Sequence, residues 1–99
     1  MARFDVHRSP DGIGYILNCQ SDLLNDIRTR VVVPLLPPEV ALVPAGRLNP
    51  VFEIEGQMFT MIPQFIASVP KTMLGAAVIS LADFDTQITG AIDMLLSGV

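Results

Sequence analysis

Residues 79–99, ISLADFDTQITGAIDMLLSGV, read as one amphipathic helix that runs almost to the terminal carboxylate. Phe84, Ile88, Ala91, Ile92, Leu95 and Leu96 recur at spacings of three and four, while Asp85, Thr86, Thr89 and Asp93 fall on the other side. That pattern predicts a single core-facing stripe. Ser80 is placed to accept from the backbone amide of Asp83, whose charge suits the first turn, and Ile79 is placed to staple onto Phe84. Gly98 is the residue type expected just past a helix end, and only Val99 follows it. The chain is therefore expected to end in a small exposed tip.

Upstream of this helix the periodicity changes from 3.6 to 2. In RFDVHR (3–8), Phe4 and Val6 alternate with Arg3, Asp5 and His7, which predicts a strand with one wet face and puts His7 on that face. The turn formers of SPDGIG (9–14) lead into a second strand, GYILNCQ (14–20), and the two form a hairpin. QSDLLND (20–26) favours a turn or one short helical turn, because its side chains bond locally to the backbone. TRVVVPLL (29–36) is the strongest strand: three branched valines suit a pleated surface buried on both faces, at the centre of the sheet. Pro34 removes one backbone donor there, so the strand is expected to bulge or pass to an edge.

The proline-rich PPEVALVPAGRLNP (37–50) is a connecting loop over one end of the sheet. VFEIEGQMFTM (51–61) is the clearest hairpin, turning at Glu55-Gly56. ASVPKTMLG (67–75) supplies a short strand or single helical turn, and AAV (76–78) leads into the terminal helix. The expected fold is mainly β with a C-terminal α-helix: a small SH3-like barrel of about five mostly antiparallel strands, a single domain over residues 1–99.

A hydrophobic content of 51% with mean hydropathy +0.52 is high for 99 residues and suggests a second burial of apolar surface in a homodimer. No stretch has the ~18 apolar residues of a membrane span, and MARFDVHRS lacks the features of a signal peptide, so a cytoplasmic location is expected. The formal charge is −4 and no Lys or Arg follows Lys71, the wrong balance for a protein that holds nucleic acid by its phosphates. Cys19 is the sole cysteine and reads as a buried small hydrophobe.

Chemistry-bearing motifs are sparse. One His and one Cys make no catalytic pair, no phosphate-binding glycine loop or metal-ligand spacing occurs, and neither catalytic residue, metal nor cofactor is expected. Glu53 and Glu55 flank Ile54 on what reads as an exposed face, and Arg28 and Arg30 share a strand face where Asp22 or Asp26 would pair with them.

Several segments, in order, resemble the CcdB toxins of bacterial toxin–antitoxin modules: QSDLLN leading to TRVVVPL, the hairpin PVFEIEGQMFTM, ASVPKTMLG, and the ending AIDMLLSGV. The resemblance implies an SH3-like barrel with a C-terminal helix, in a two-fold dimer whose helices lie near the axis. It further implies a non-enzymatic poison of DNA gyrase, whose terminal residues insert into the A subunit and trap the DNA-cleaved state. A CcdA-like antitoxin would neutralise it with a flexible wrapping segment. By position the gyrase-contacting tip is Ser97, Gly98 and Val99, with Ser97 standing where the best-known members carry Trp. The same fold serves the MazF-type endoribonucleases, for which Arg28 with Thr29, or Arg3, are the residues available here; a third possibility is a degenerate toxin that only binds antitoxin.

Overall fold

The computed structural model describes residues 2–41 and 45–98. Seven strands form one antiparallel sheet: β1 (Asp5–Arg8), β2 (Tyr15–Asn18), β3 (Thr29–Leu36), β4 (Val51–Ile54), β5 (Gln57–Met61), β6 (Ala67–Pro70) and β7 (Ala77–Ser80). Helix α1 (Asp85–Ser97) closes the chain. The sheet order is β4-β5-β3-β2-β1-β7, with β6 also paired to β3. Three valines in a row place β3 at the centre as expected, with Val32 and Val33 both buried.

Pro34 neither bulges β3 nor moves it to an edge. One edge of β3 carries β2, while the other carries β6 along Thr29–Val32 and then β5 along Leu35–Leu36. Pro34 lies in the gap between those two partners, where its missing N–H leaves nothing unpaired, and its carbonyl still accepts from the Ile62 amide at 2.9 Å. The proline thus marks where the central strand exchanges partners, and the exchange curls the sheet into a half-barrel.

The core fills the concave side. Leu17, Val33, Leu35, Ile54 and Met61 meet Ile88 and Ala91 of α1, all essentially without solvent exposure. α1 lies against the 3₁₀ turns Gly46–Leu48 and Pro63–Phe65. The first of these is pinned by buried Asn49, which accepts from the Ala45 amide at 2.9 Å and donates to the Met61 carbonyl at 3.0 Å.

The helix begins later than its sequence pattern predicts. Ala77–Ser80 is a strand paired to β1, and the Leu81 amide donates to the Phe4 carbonyl at 2.9 Å. Ser80 Oγ accepts from Ala82 rather than Asp83, a 3₁₀ turn spans Ala82–Phe84, and Phe84 packs edge-on to Phe52 at 5.2 Å instead of against Ile79. Unpaired edge donors and acceptors on β1 outweigh the helical spacing of Ile79 and Phe84.

His7 is also not on a wet face. Both faces of β1 are covered, because the segment after β6 folds back over the convex side: Leu74 joins Ile16 and Val32 in a second small apolar cluster, and His7 Nδ1 lies 2.8 Å from the Gly75 carbonyl. The β4–β5 hairpin turns at Glu55-Gly56 as expected, with φ of 52° and 82°, the pair of positive values that the tightest hairpin turn requires.

Gly14 has a stricter reason to be glycine. Its φ is +66°, and a Cβ there would lie 2.2 Å from the Leu35 carbonyl oxygen, inside backbone that cannot yield. Gly14→Ala is expected to cost about 3 kcal/mol, from left-handed strain plus separation of the β1–β2 loop from β3. A urea melt reads this directly, and an unshifted midpoint would mean that the loop relaxes freely.

Candidate functional site

Two regions carry groups capable of recognition or chemistry. The first is the end of α1. Gly98 adopts the left-handed conformation (φ 76°, ψ 17°) and its amide donates to the Met94 carbonyl at 3.0 Å, so the last turn is closed as its glycine predicts. Ser97 Oγ donates to the Asp93 carbonyl at 2.8 Å. Leu96 projects into solvent with 74% of its surface exposed, so the predicted stripe of α1 ends before its tip. Val99 lies outside the described residues.

The second region joins the loop end of the β1–β2 hairpin to the β4–β5 turn. Arg8 and Tyr15 are register partners across β1 and β2. The Tyr15 hydroxyl donates to Glu55 Oε1 at 2.5 Å, and Arg8 Nη2 donates to the same oxygen at 3.0 Å. The Tyr15 hydrogen bond, ahead of Arg8's charge, holds the Glu55 carboxyl below its ordinary value, and the same bond together with burial pushes the Tyr15 phenol up. Tyr15 itself is buried edge-on against Phe59, 4.9 Å between ring centres. Beside this group runs an open groove of about 360 Å³, bordered by Ile13, Pro37, Gln57 and Phe59.

Glu53 and Glu55 are both exposed as expected, but Glu55 is engaged by Tyr15 and Arg8. It lies in the turn, where the positive φ aims it back across the sheet end. Neither Arg8 nor Tyr15 stands out in the sequence, yet their opposition across a hairpin was the available signal.

The basic residues of the sequence reading are scattered. Arg30 is buried and pairs with no carboxylate among the described residues: its guanidinium donates to the backbone carbonyls of Asn25, Thr29 and Ile27, the first two at 2.8 Å. Asp22, expected to pair with an arginine side chain, instead accepts from the Arg3 backbone amide at 2.9 Å. Arg28 and Thr29 are exposed and make no side-chain hydrogen bond among the described residues, and Arg3 lies over the Phe4 ring at 4.4 Å. No constellation unites them. Burial pushes the Cys19 thiol up to about 12, which leaves it protonated and unreactive at neutral pH. Among the described residues no helix is long and apolar enough to cross a membrane.

The chain matches the family model of the CcdB protein over residues 3–98. No curated protein sequence matches it. Among solved structures it is similar to an endoribonuclease from a Mycobacterial species, at 15% identity and TM-score 0.77 over 97% of this chain and 90% of that one. It is similar also to an endoribonuclease in complex with its cognate antitoxin from a Mycobacterial species, at 17% and 0.78 over 97% and 94%. A third is the Mycobacterium tuberculosis toxin MazF-mt6, at 14% and 0.75 over 93% and 95%. These likenesses correct the expectation that the chain is not an enzyme: the fold it shares with them, nearly end to end, is one that proteins named as endoribonucleases use.

Proposed function

The chain belongs to the CcdB protein family of toxin–antitoxin toxins, and from that premise we propose that it poisons DNA gyrase by inserting its C-terminal tip into the A subunit. The observation that carries this reading is the exposed end of α1. Leu96 is left uncovered beside a glycine whose missing side chain lets a partner's surface approach the backbone closely. An apolar side chain held on a closed helix end is preorganised for insertion, so little ordering entropy opposes docking. A homodimer presents two such tips, and a cognate CcdA-like antitoxin restrains the toxin; the antitoxin-bound structural neighbour supports that pairing.

The test is gyrase on supercoiled plasmid with ATP, comparing the full chain with one ending at Leu96 and scoring linear DNA after the enzyme is denatured. The full chain is expected to accumulate cleaved DNA and the shortened chain to lose that effect by 30-fold or more in the concentration required. Equal cleavage by the two would remove Ser97, Gly98 and Val99 from the contact.

A second reading is cleavage of RNA, favoured by the endoribonuclease neighbours that share the fold over 97% of this chain. Of the residues available to it, Arg28 and Thr29 are exposed on this chain and Arg3 lies over the Phe4 ring.

A further inference from the structure

Gly90 sits in the middle of α1 without an intramolecular reason to be glycine. A Cβ at this position would meet nothing within 4 Å and the backbone is ordinary helix, so alanine would fit and would favour the helix. What the bare backbone does instead is hold open a groove of about 610 Å³ between the first half of α1 and the 3₁₀ turn Gly46–Leu48. Pro50 and Ala91 are buried at this groove and form its apolar floor. Arg47 borders it on one side, and Thr86, Gln87 and Gly90 border it on the other, all four exposed.

The polar groups at the groove are uncommitted. The Arg47 guanidinium, the Gln87 amide and the Thr86 hydroxyl make no side-chain hydrogen bond or ion pair among the described residues. Arg47 is the one formal charge among the described residues that line the groove, on a chain that carries −4. Asp85, next to Thr86 in sequence, accepts the Thr89 hydroxyl at 2.8 Å and does not line the groove. An apolar floor with one cation and two neutral hydrogen-bonding groups suits an apolar side chain that stands beside a carboxylate. Gln87 precedes Ser97 by ten positions in α1, about 15 Å along a helix, so a segment seated here is separate from the tip proposed for gyrase.

We propose that this groove seats an extended segment of the cognate antitoxin, with an apolar side chain over Pro50 and Ala91 and a neighbouring Asp or Glu on Arg47. This rests on the antitoxin pairing above and assigns it a surface. The missing side chain of Gly90 lets the segment's backbone approach that of α1, and Thr86 and Gln87 supply donors and acceptors for its peptide groups. Charge sets the register. No Lys or Arg follows Lys71, and Asp83, Asp85 and Asp93 repel a carboxylate elsewhere along α1, so Arg47 is the cation that fixes where such a segment lands. The volume falls in the range of sites that take a few side chains.

The experiment is a calorimetric titration of the full-length chain, and of its Gly90→Leu, Arg47→Ala and Arg28→Ala variants, with the antitoxin expressed from the reading frame adjoining the toxin's own. Gly90→Leu fills the groove and Arg47→Ala removes its cation. Each is expected to raise the Kd about tenfold or more, and Arg47→Ala should also flatten its dependence on salt. Arg28→Ala, an exposed arginine outside the groove, should leave the Kd unchanged. The urea midpoint of Gly90→Leu should hold or rise, and its DNA cleavage with gyrase should match that of the unsubstituted chain, which separates a filled groove from a damaged fold or tip. An unchanged Kd in both groove variants would overturn the groove and leave the antitoxin pairing intact. No binding by the unsubstituted chain would overturn pairing and groove together, whatever gyrase shows. Weaker gyrase cleavage by Gly90→Leu would give the groove to gyrase, and loss of a dimer in that variant on size exclusion without antitoxin would give it to a second copy; either result overturns the assignment.

Discussion

Arg30→Met is expected to lower the unfolding free energy by about 3 kcal/mol, because one side chain closes a whole loop. Residues 21–27 contain no regular element beyond a single 3₁₀ turn at Asp22–Leu24, and they present Leu23, Leu24 and Ile27 to solvent. Such a segment has no apolar burial to hold it. Its shape comes from the Arg30 guanidinium, which bonds its Asn25 and Ile27 carbonyls as well as that of Thr29 in β3, and from Gln20, which accepts from the Val31 amide at 3.1 Å and donates to the Leu24 carbonyl at 3.0 Å. Hydrogen bonds from a charged donor contribute roughly 1.5–3 kcal/mol each, and water entering an exposed loop recovers part of that loss. Methionine refills the volume, so the cavity cost is small and the lost bonds dominate. With a denaturant slope of about 1–3 kcal/mol/M, the urea midpoint should fall by about 1–3 M. Arg30→Lys should recover only part of the loss, since an ammonium cannot span three carbonyls with one planar fork. An unchanged midpoint in Arg30→Met would mean that the burial of an uncompensated charge cancels the bonds it makes.

This arginine also shows where sequence patterns stop informing. Period two puts Arg28 and Arg30 on one strand face, but Arg28 lies before β3 and is exposed while Arg30 is buried, because alternation says only that two faces exist and not what covers each. On the convex side of the sheet the chain from Lys71 to Ala77 returns and covers β1 and β2, which buries His7, and the 21–27 loop closes over Arg30. Both are buried polar residues bonded to backbone carbonyls rather than to carboxylates, so charge arithmetic pairs Arg30 with the wrong partners. β7 escapes for the opposite reason. Ala77–Ser80 has no strand signal of its own beyond two branched residues, and its conformation is imposed by pairing with β1 about 70 residues earlier in the chain.

What local chemistry dictates was legible. Glu55-Gly56 adopts a turn that glycine must complete, the valines of β3 build the centre, and Gly98 closes α1. The joining of Arg8 and Tyr15 to Glu55 was not, because it depends on how far the β4–β5 turn reaches over the sheet end, a property of curl. The curl itself follows from Pro34, whose placement between two partners could not be separated from a bulge by sequence alone.

Ser97→Trp is expected to strengthen gyrase poisoning by about thirtyfold. Ser97 is exposed, and its hydroxyl makes only the local bond to the Asp93 carbonyl, which a tryptophan loses at a cost to stability within about 0.5 kcal/mol. The side chain at 97 projects from the last turn of a closed helix next to exposed Leu96, so an indole there extends an apolar surface that already exists. An aromatic ring of this size buries about 150–250 Å² on docking, and such anchors are typically worth 2 kcal/mol or more, which at about 1.4 kcal/mol per decade gives the factor stated. The effect should appear as a lower toxin concentration for half-maximal DNA cleavage, while the urea midpoint stays put. It should be mostly slower dissociation, since the tip is already presented and only the contact is enlarged. If cleavage responds to neither Ser97→Trp nor loss of residues 97–99, the toxin acts elsewhere than at its tip. If the indole restores strong poisoning to a weak one, the serine is what sets this chain's potency.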